Sequence, residues 1–455
     1  MIQDHSTVSI QKENPMNKKF AMNGKTWVFL GAVLSLVIYF FAIRQILGSA
    51  YASRIEMIIL GGLIIVFLGA FLSLLVKLLA LFFSKNRIHW LTRVRGQMIF
   101  ISSILILLAI IISASQWMAY TPPILGQDGK PLQNSIASLE KVRLGGVDQW
   151  LIIRGEDVNK PVLLFLSGGP GASEAARVLR FNQELEKHFV VVIWEQRGCG
   201  KSYPSLNPKS ALSIDQYVSD LLELTEMMRA RFDEQKIYLV GHSWGTIIGV
   251  RAAQARPELL HAYVGTAQMV DVLETDQIIY EMILEHSRES GDSKFVETLK
   301  SQGPPPYLGK SPIQPYATLF GREYALFEAP NIKDETYRQD GDILMLMLKQ
   351  PEYGWFDRIN YLLGLMNTFN VVYPQLQSMD FRLNSTHFEL PVYQILGRHD
   401  MNNPYQIPEE YFNLLVAPSK QLYFFEDSGH GMIWEEAKKF HSIMINTVLP
   451  ETYKP

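Results

Sequence analysis

A single cysteine, Cys199, stands in 455 residues. The chain therefore has no intramolecular disulfide and no cysteine-based zinc site. It also lacks an excess of either charge: 42 Lys and Arg face 45 Asp and Glu, a net charge of −3. That balance gives no electrostatic footprint for nucleic acid. Internal repeats and low-complexity tracts are missing. The one glycine-rich turn that follows a strand pattern, Ser167-Gly168-Gly169-Pro170-Gly171, lacks the Gly-x-Gly-x-x-Gly spacing, and no Walker lysine follows it. Phosphate binding is disfavoured there, and neither a cofactor nor a metal is expected.

Hydrophobic residues are unevenly spread. Residues 27–43, 57–76 and 98–118 form three apolar runs, the last closing with Trp117 and Tyr120, whereas Lys77 is placed to snorkel. A bilayer span needs about 20 apolar residues. Residues 26–119 thus read as a three-helix transmembrane region in a multi-pass protein of the cell membrane, with the lipid bilayer as partner. Basic residues set its orientation. The tail carries Lys12, Lys18, Lys19 and Lys25, and the second loop Lys85, Arg87, Arg93 and Arg95. The first loop has only Arg44 and Arg54, and no base follows the third run until Lys130. Tail and second loop belong inside, and everything after residue 120 outside. Lys18, Lys19 and Lys25 before the first run, with Ala50-Tyr51-Ala52 after it, also fit a cleavable signal peptide. Cleavage would leave two spans and the same outward-facing domain.

Residues 1–25 read as a disordered cytoplasmic tail and 120–138 as a linker. Strand patterns follow at 139–144, 147–153, 161–166, 189–194, 237–240, 261–266, 392–396 and 421–425. Helical patterns lie at 174–187, 213–231, 245–256, 405–415 and 433–447. Apolar runs without alternation, separated by helices, mean strands buried on both faces of a mostly parallel sheet, an α/β fold. Between 267 and 388 the alternation stops. That stretch is helical by pattern, punctuated by prolines and rich in aromatics, and is expected to cap a core built from residues 139–266 and 389–455.

The run 237–245, Ile-Tyr-Leu-Val-Gly-His-Ser-Trp-Gly, is a strand leading into a helix through Gly-x-Ser-x-Gly. A nucleophilic serine projects from such a turn, and small residues two positions away on either side keep it free of clashes. Gly397-Arg398-His399-Asp400 and Asp427-Ser428-Gly429-His430-Gly431 end later strands. The order serine, acid, histidine is that of an α/β-hydrolase site.

The set SGGPG, WEQRGCGKS, GHSWG, LGRHD and SGHG resembles the proline iminopeptidase branch of the α/β hydrolases, peptidase family S33, over about residues 140–450. Two positions depart from that pattern: Ser167 stands for the usual histidine and Glu195 for aspartate. The resemblance and the chemistry assign Ser243 as nucleophile, His430 as general base and Asp400 as its orienting acid. The backbone N–H groups of Gly169 and Trp244 are expected to form the oxyanion hole. Asp427 is an alternative acid. His242, Cys199, Glu195 and Arg197 read as packing or loop-anchoring residues, and His399 as a loop residue. Proline iminopeptidases hold the substrate's amino end with cap carboxylates. Glu274, Asp276, Glu281 and Glu285 are candidates here, although a solvated helix face explains them equally well.

The resulting expectation is a membrane-anchored serine hydrolase that removes N-terminal residues from short peptides through an acyl-enzyme. Two rivals stand beside it: an esterase or lipid amidase taking membrane-derived acyl substrates, and a non-catalytic binding module. The sequence names no protein partner.

Overall fold

A computed structural model describes residues 24–207 and 212–453. The chain divides into two compact units, one of Met1–Gly48 with Ile55–Ile111 and one of Ser49–Arg54 with Ile112–Pro455. Most of the tail expected at 1–25, with Lys12, Lys18 and Lys19, lies outside the described residues.

Three helical stretches, most of whose residues belong to the first unit, are long and apolar enough to cross a membrane: Thr26–Ile43, Tyr51–Phe83 and Arg87–Trp117. Their large side chains face outward, Ile65 being 72% exposed, which suits surroundings that are themselves apolar. Helical backbone continues from Gly24 through Tyr39–Ile43 into Arg44–Phe83. It does not continue straight. Arg44 Nε lies 2.9 Å from Glu56 Oε1, whereas twelve residues of straight helix would separate them by about 18 Å. The chain folds back between these two residues, where the sequence placed its first loop. Lys77 does not snorkel: its Nζ donates to Gln97 Oε1 at 2.5 Å, and Gln97 Nε2 donates to the Ala70 carbonyl at 2.8 Å.

The second unit is built on an eight-stranded sheet in the order β1-β2-β4-β3-β5-β6-β7-β8. The strands are β1 Ile136–Leu144, β2 Val147–Gly155, β3 Val162–Leu166, β4 Val190–Glu195, β5 Ile237–His242, β6 Leu260–Thr266, β7 Val392–Gly397 and β8 Lys420–Phe425. β1 and β2 pair antiparallel, as do β2 and β4, and every other pairing is parallel. Leu164 and Leu166 join the core on one face of β3, Leu163 and Phe165 the core on the other. Burial on both faces explains why the sequence shows no alternation along this strand. The helices Ala175–Phe181, Ile214–Phe232, Trp244–Ala255, Gln406–Leu414 and Ala437–Ile443 cover it.

All the chain between β6 and β7 is helical or irregular. Aspartates start its helices. Asp271, Asp292, Asp334, Asp342 and Asp380 each accept a backbone N–H of the first turn, which satisfies donors that otherwise have no partner. Many of its aromatics pack on one another. Phe369 stacks on Tyr373, and Tyr316 meets both rings edge-on. Asp276 accepts both the Tyr316 and Tyr373 hydroxyls, at 2.7 and 2.8 Å. Burial lifts the Asp276 carboxyl to about 6.

Candidate active site

The candidate residues follow the carboxyl ends of parallel strands, where open α/β sheets place their sites. Gly169 follows β3, Ser243 follows β5, Asp400 follows β7 and His430 follows β8.

Ser243 caps the helix Trp244–Ala255 with φ 50 and ψ −120, a conformation few L-residues adopt. The turn is held where it is. The Ser243 N–H donates to the Thr266 carbonyl at 3.0 Å, and a Cβ at Gly245 would lie 2.3 Å from the Leu166 carbonyl oxygen. The serine is only 8% exposed, and its hydroxyl has no hydrogen-bond partner among the described residues.

His430 meets Asp400. Its Nδ1 lies 3.1 Å from both carboxylate oxygens, and Asp400 is itself buried and fixed by the Asn403 N–H at 2.8 Å. Burial pulls the imidazole's pKa down. The charge and hydrogen bond of Asp400 outweigh this, helped by Glu328 and Glu174, and lift it to about 9.

His242 joins the serine turn to the histidine loop. Its ring packs on Trp434 and His430, with centroids 4.6 and 5.0 Å apart. It is a packing residue, as the sequence suggests, and more. Its Nε2 lies 2.9 Å from the His430 carbonyl, and its Nδ1 lies 2.8 Å from Glu174 Oε1. The other oxygen of Glu174 accepts the Gly168 N–H at 2.8 Å. One carboxylate thus ties the glycine-rich turn to the residue before Ser243.

That turn needs glycine. At Gly169 φ is +126, and a Cβ would lie 2.7 Å from the Gly171 nitrogen. The Gly169 N–H has no hydrogen-bond acceptor among the described residues. Trp244 is the first residue of its helix, so its N–H has no intrahelical acceptor either. Two free donors therefore stand at the turns expected to hold a developing oxyanion.

The remaining candidates have other tasks. Asp427 pairs with Lys333 on the surface. Arg197 is buried against Asp220 at 2.9 Å. Glu195 accepts hydrogen bonds from Ser173, the Tyr353 hydroxyl and the Lys201 N–H. The Cys199 thiol donates to the Ala172 carbonyl, and burial pushes it well above the usual thiol range. In the helical segment, Glu274 pairs with Arg382 at 2.5 Å, and Glu281 and Glu285 face solvent.

The carboxylates at the site are ones the sequence did not single out. Glu328 accepts the His430 N–H at 3.0 Å and the Met401 N–H at 3.3 Å. Glu323 lies beside it. Both are 1% exposed, and Glu323 Oε1 has no hydrogen-bond partner among the described residues. Burial raises both above the usual carboxylate range, with the Glu328 charge adding to the rise at Glu323 and the Asp400 charge adding to it at Glu328, where the Glu323 hydrogen bond opposes it. The helix Ile313–Glu323 runs into a π-helical turn, Tyr324–Glu328. In an α-helix, residues five apart face directions about 140° apart, whereas a π-turn stacks i on i+5. That turn brings the two carboxylates together. A third carboxylate, Glu435, accepts the Gly429 N–H at 2.8 Å. Burial and the Glu328 charge raise it to about 8.

A strand-turn-helix serine, an Asp-held histidine on the last strand's loop and a mostly parallel sheet define an α/β hydrolase. The family model for the alpha/beta hydrolase fold matches residues 161–437, and the chain belongs to this family. It is 32% identical over 314 residues to a probable aminopeptidase of Bacillus subtilis, a match spanning 68% of this chain and 96% of that protein. It is 35% identical to the proline iminopeptidase of Neisseria gonorrhoeae over 97 residues, 21% of this chain and 29% of the relative. Among solved structures, a proline iminopeptidase-related protein of Thermus thermophilus aligns with a TM-score of 0.47 and 19% identity, covering 70% of this chain and 98% of its own.

Proposed function

We propose that this α/β hydrolase is a membrane-anchored serine aminopeptidase of proline iminopeptidase type. The observation that carries the reading is the double hold on the His430 loop. Asp400 takes the imidazole at 3.1 Å, and Glu328, from the helical segment, takes the main-chain N–H of the same residue at 3.0 Å. A buried pair of carboxylates, one oxygen of which has no partner, is thereby fastened beside the candidate base. Such a pair is costly without a cation, and the α-ammonium of a peptide is a cation of fitting size.

In this mechanism Glu323 and Glu328 bind the ammonium, and Ser243 Oγ attacks the carbonyl carbon of the first residue. His430 Nε2 takes the hydroxyl proton, and Asp400 stabilises the imidazolium. The Gly169 and Trp244 N–H groups hold the oxyanion, each worth about 3 kcal/mol of transition-state stabilisation. Collapse breaks the peptide bond, and His430 gives its proton to the departing amine. Water, deprotonated by His430, then releases the amino acid and restores Ser243. The probable aminopeptidase of Bacillus subtilis supports this substrate class. The three apolar helices would anchor the enzyme, with the hydrolase on the extracytoplasmic side, as the basic residues flanking the spans favour.

The test is a substrate panel offered to the detergent-solubilised full chain: proline and other aminoacyl arylamides, their N-blocked forms, and p-nitrophenyl esters. Cleavage of the unblocked arylamides alone supports the reading. Turnover of esters alone moves the protein to the esterase or lipid amidase class. Absence of all turnover, with no labelling of Ser243 by a fluorophosphonate, leaves a binding module.

A further inference from the structure

Arg177 lies on the helix Ala175–Phe181, directly after the glycine-rich turn. Its guanidinium sits over the Trp434 ring, 5.2 Å from the centroid. Trp434 in turn packs on His242, so one aromatic ring separates Arg177 from the imidazole beside Ser243. The guanidinium makes no hydrogen bond or ion pair among the described residues, and its Nε is buried without a partner. This sets it apart from Arg154, Arg197 and Arg382, each of which meets a carboxylate within 3.0 Å.

The two nearby carboxylates are already engaged. Glu174 serves the Gly168 N–H and His242. Glu435 serves the Gly429 and Gly431 N–H groups at 2.8 and 3.2 Å. Their charges favour the Arg177 cation, yet neither closes on it. A guanidinium offers five donors in a flat fork that matches a carboxylate two bonds at a time. Leaving that fork without an acceptor in a mostly buried position costs free energy. Burial and the charges of Glu435, Glu328 and Glu323 raise the Tyr324 phenol, and the Arg177 cation opposes them. Cationic and acidic groups therefore flank one tyrosine, an arrangement suited to a ligand with a charge of each sign.

We propose that Arg177 binds the free α-carboxylate of the substrate, so that the preferred substrates are zwitterionic dipeptides and similarly short peptides. This rests on the aminopeptidase reading and specifies its substrate. No bond is made or broken at Arg177. It is a specificity residue for the leaving-group side.

The experiment pairs a dipeptide with its C-terminal amide. Turnover of both is measured with the full chain, its Arg177→Gln variant and its Arg177→Lys variant. Binding of both to the Ser243→Ala chain is measured by calorimetry. The expected result is a wild-type preference for the acid of at least tenfold, expressed mainly in KM. Arg177→Gln should bring the acid-to-amide ratio near one, and Arg177→Lys, which keeps charge but not the fork, should fall between. Equal handling of acid and amide by the wild-type chain overturns the proposal. So does an Arg177→Gln loss that is the same for both. The wild-type comparison and the lysine variant keep the test decisive if Arg177→Gln does not fold. Acid-selective binding without any turnover would overturn the aminopeptidase reading and support the subsite. Turnover without acid selectivity would do the reverse.

Discussion

Gln116 Nε2 lies 2.8 and 2.7 Å from the two carboxylate oxygens of Asp357, across 241 positions of sequence. Asp357 also holds the buried Lys201 ammonium at 2.6 Å and the Gly354 N–H at 2.9 Å. Lys201 belongs to the loop after β4, where its N–H donates to Glu195. The end of the helix Arg87–Trp117, the helix that starts at Trp355 and the loop beside the candidate site thus share one carboxylate. Removing it strands a buried charge. Asp357→Asn is expected to cost about 3–5 kcal/mol, and Gln116→Ala about 1–3 kcal/mol. Thermal unfolding of the full chain in detergent measures both.

Ser243→Ala should abolish fluorophosphonate labelling and lower kcat by about 10⁶. Asp400→Asn should lower it by about 10⁴, because the imidazole then takes the wrong tautomer. Equal activity of Asp400→Asn and wild type would return the acid's role to another residue.

Activity should rise with pH. His430 carries its proton up to about 9 in the resting site, against an ordinary value of 6.5, and a general base acts only when neutral. The acidic limb of kcat/KM is therefore expected near pH 9. The sign for stability is the opposite. The raised value means that this group's contribution is complete below 6.5 and is lost as pH climbs through 9. Glu328→Gln removes one negative neighbour and should move the limb down by about one unit. A pH–rate profile of wild type and variant reads the shift.

Glu323→Gln and Glu328→Gln should raise KM for free aminoacyl arylamides by about tenfold to a hundredfold, since each removes one half of the proposed ammonium pair. N-blocked substrates and esters have no ammonium to lose. If the variants weaken all substrates alike, the pair supports the loop and does not bind substrate.

Orientation is open to direct chemistry. Cys199 is buried at 1% exposure, so a thiol introduced at the exposed Lys130 is the one that reports. The Lys130→Cys chain on intact cells should react with an impermeant maleimide, and protection would put the hydrolase inside.

The sheet was legible because its strands are buried on both faces. Val162–Leu166 and Val190–Glu195 are continuous apolar runs between helical patterns, and their ends shift by only one residue from the sequence reading. The positions of Ser243, Asp400 and His430 were legible from short glycine-flanked motifs after such runs. Glu323, Glu328 and Arg177 were not. Their surroundings are assembled from distant segments, and a π-turn leaves no periodic mark over five residues. Glu274 and Asp276 stand at helical spacing, but that spacing serves Arg382 and a pair of tyrosine hydroxyls. The fold-back between Arg44 and Glu56 was legible as the loop between two apolar runs, although its backbone stays helical.

The turn Tyr324–Glu328 makes selectivity fragile at the level of helix winding. Rewound to ordinary α geometry with Glu323 and Glu328 still five residues apart, the segment would point the two acids about 140° away from one another around the axis. The nucleophile and the oxyanion donors would be untouched, whereas the His430 N–H would lose its Glu328 acceptor. Amine recognition and the hold on the histidine loop thus hang on one local winding, while the nucleophile and its oxyanion donors stay as they are.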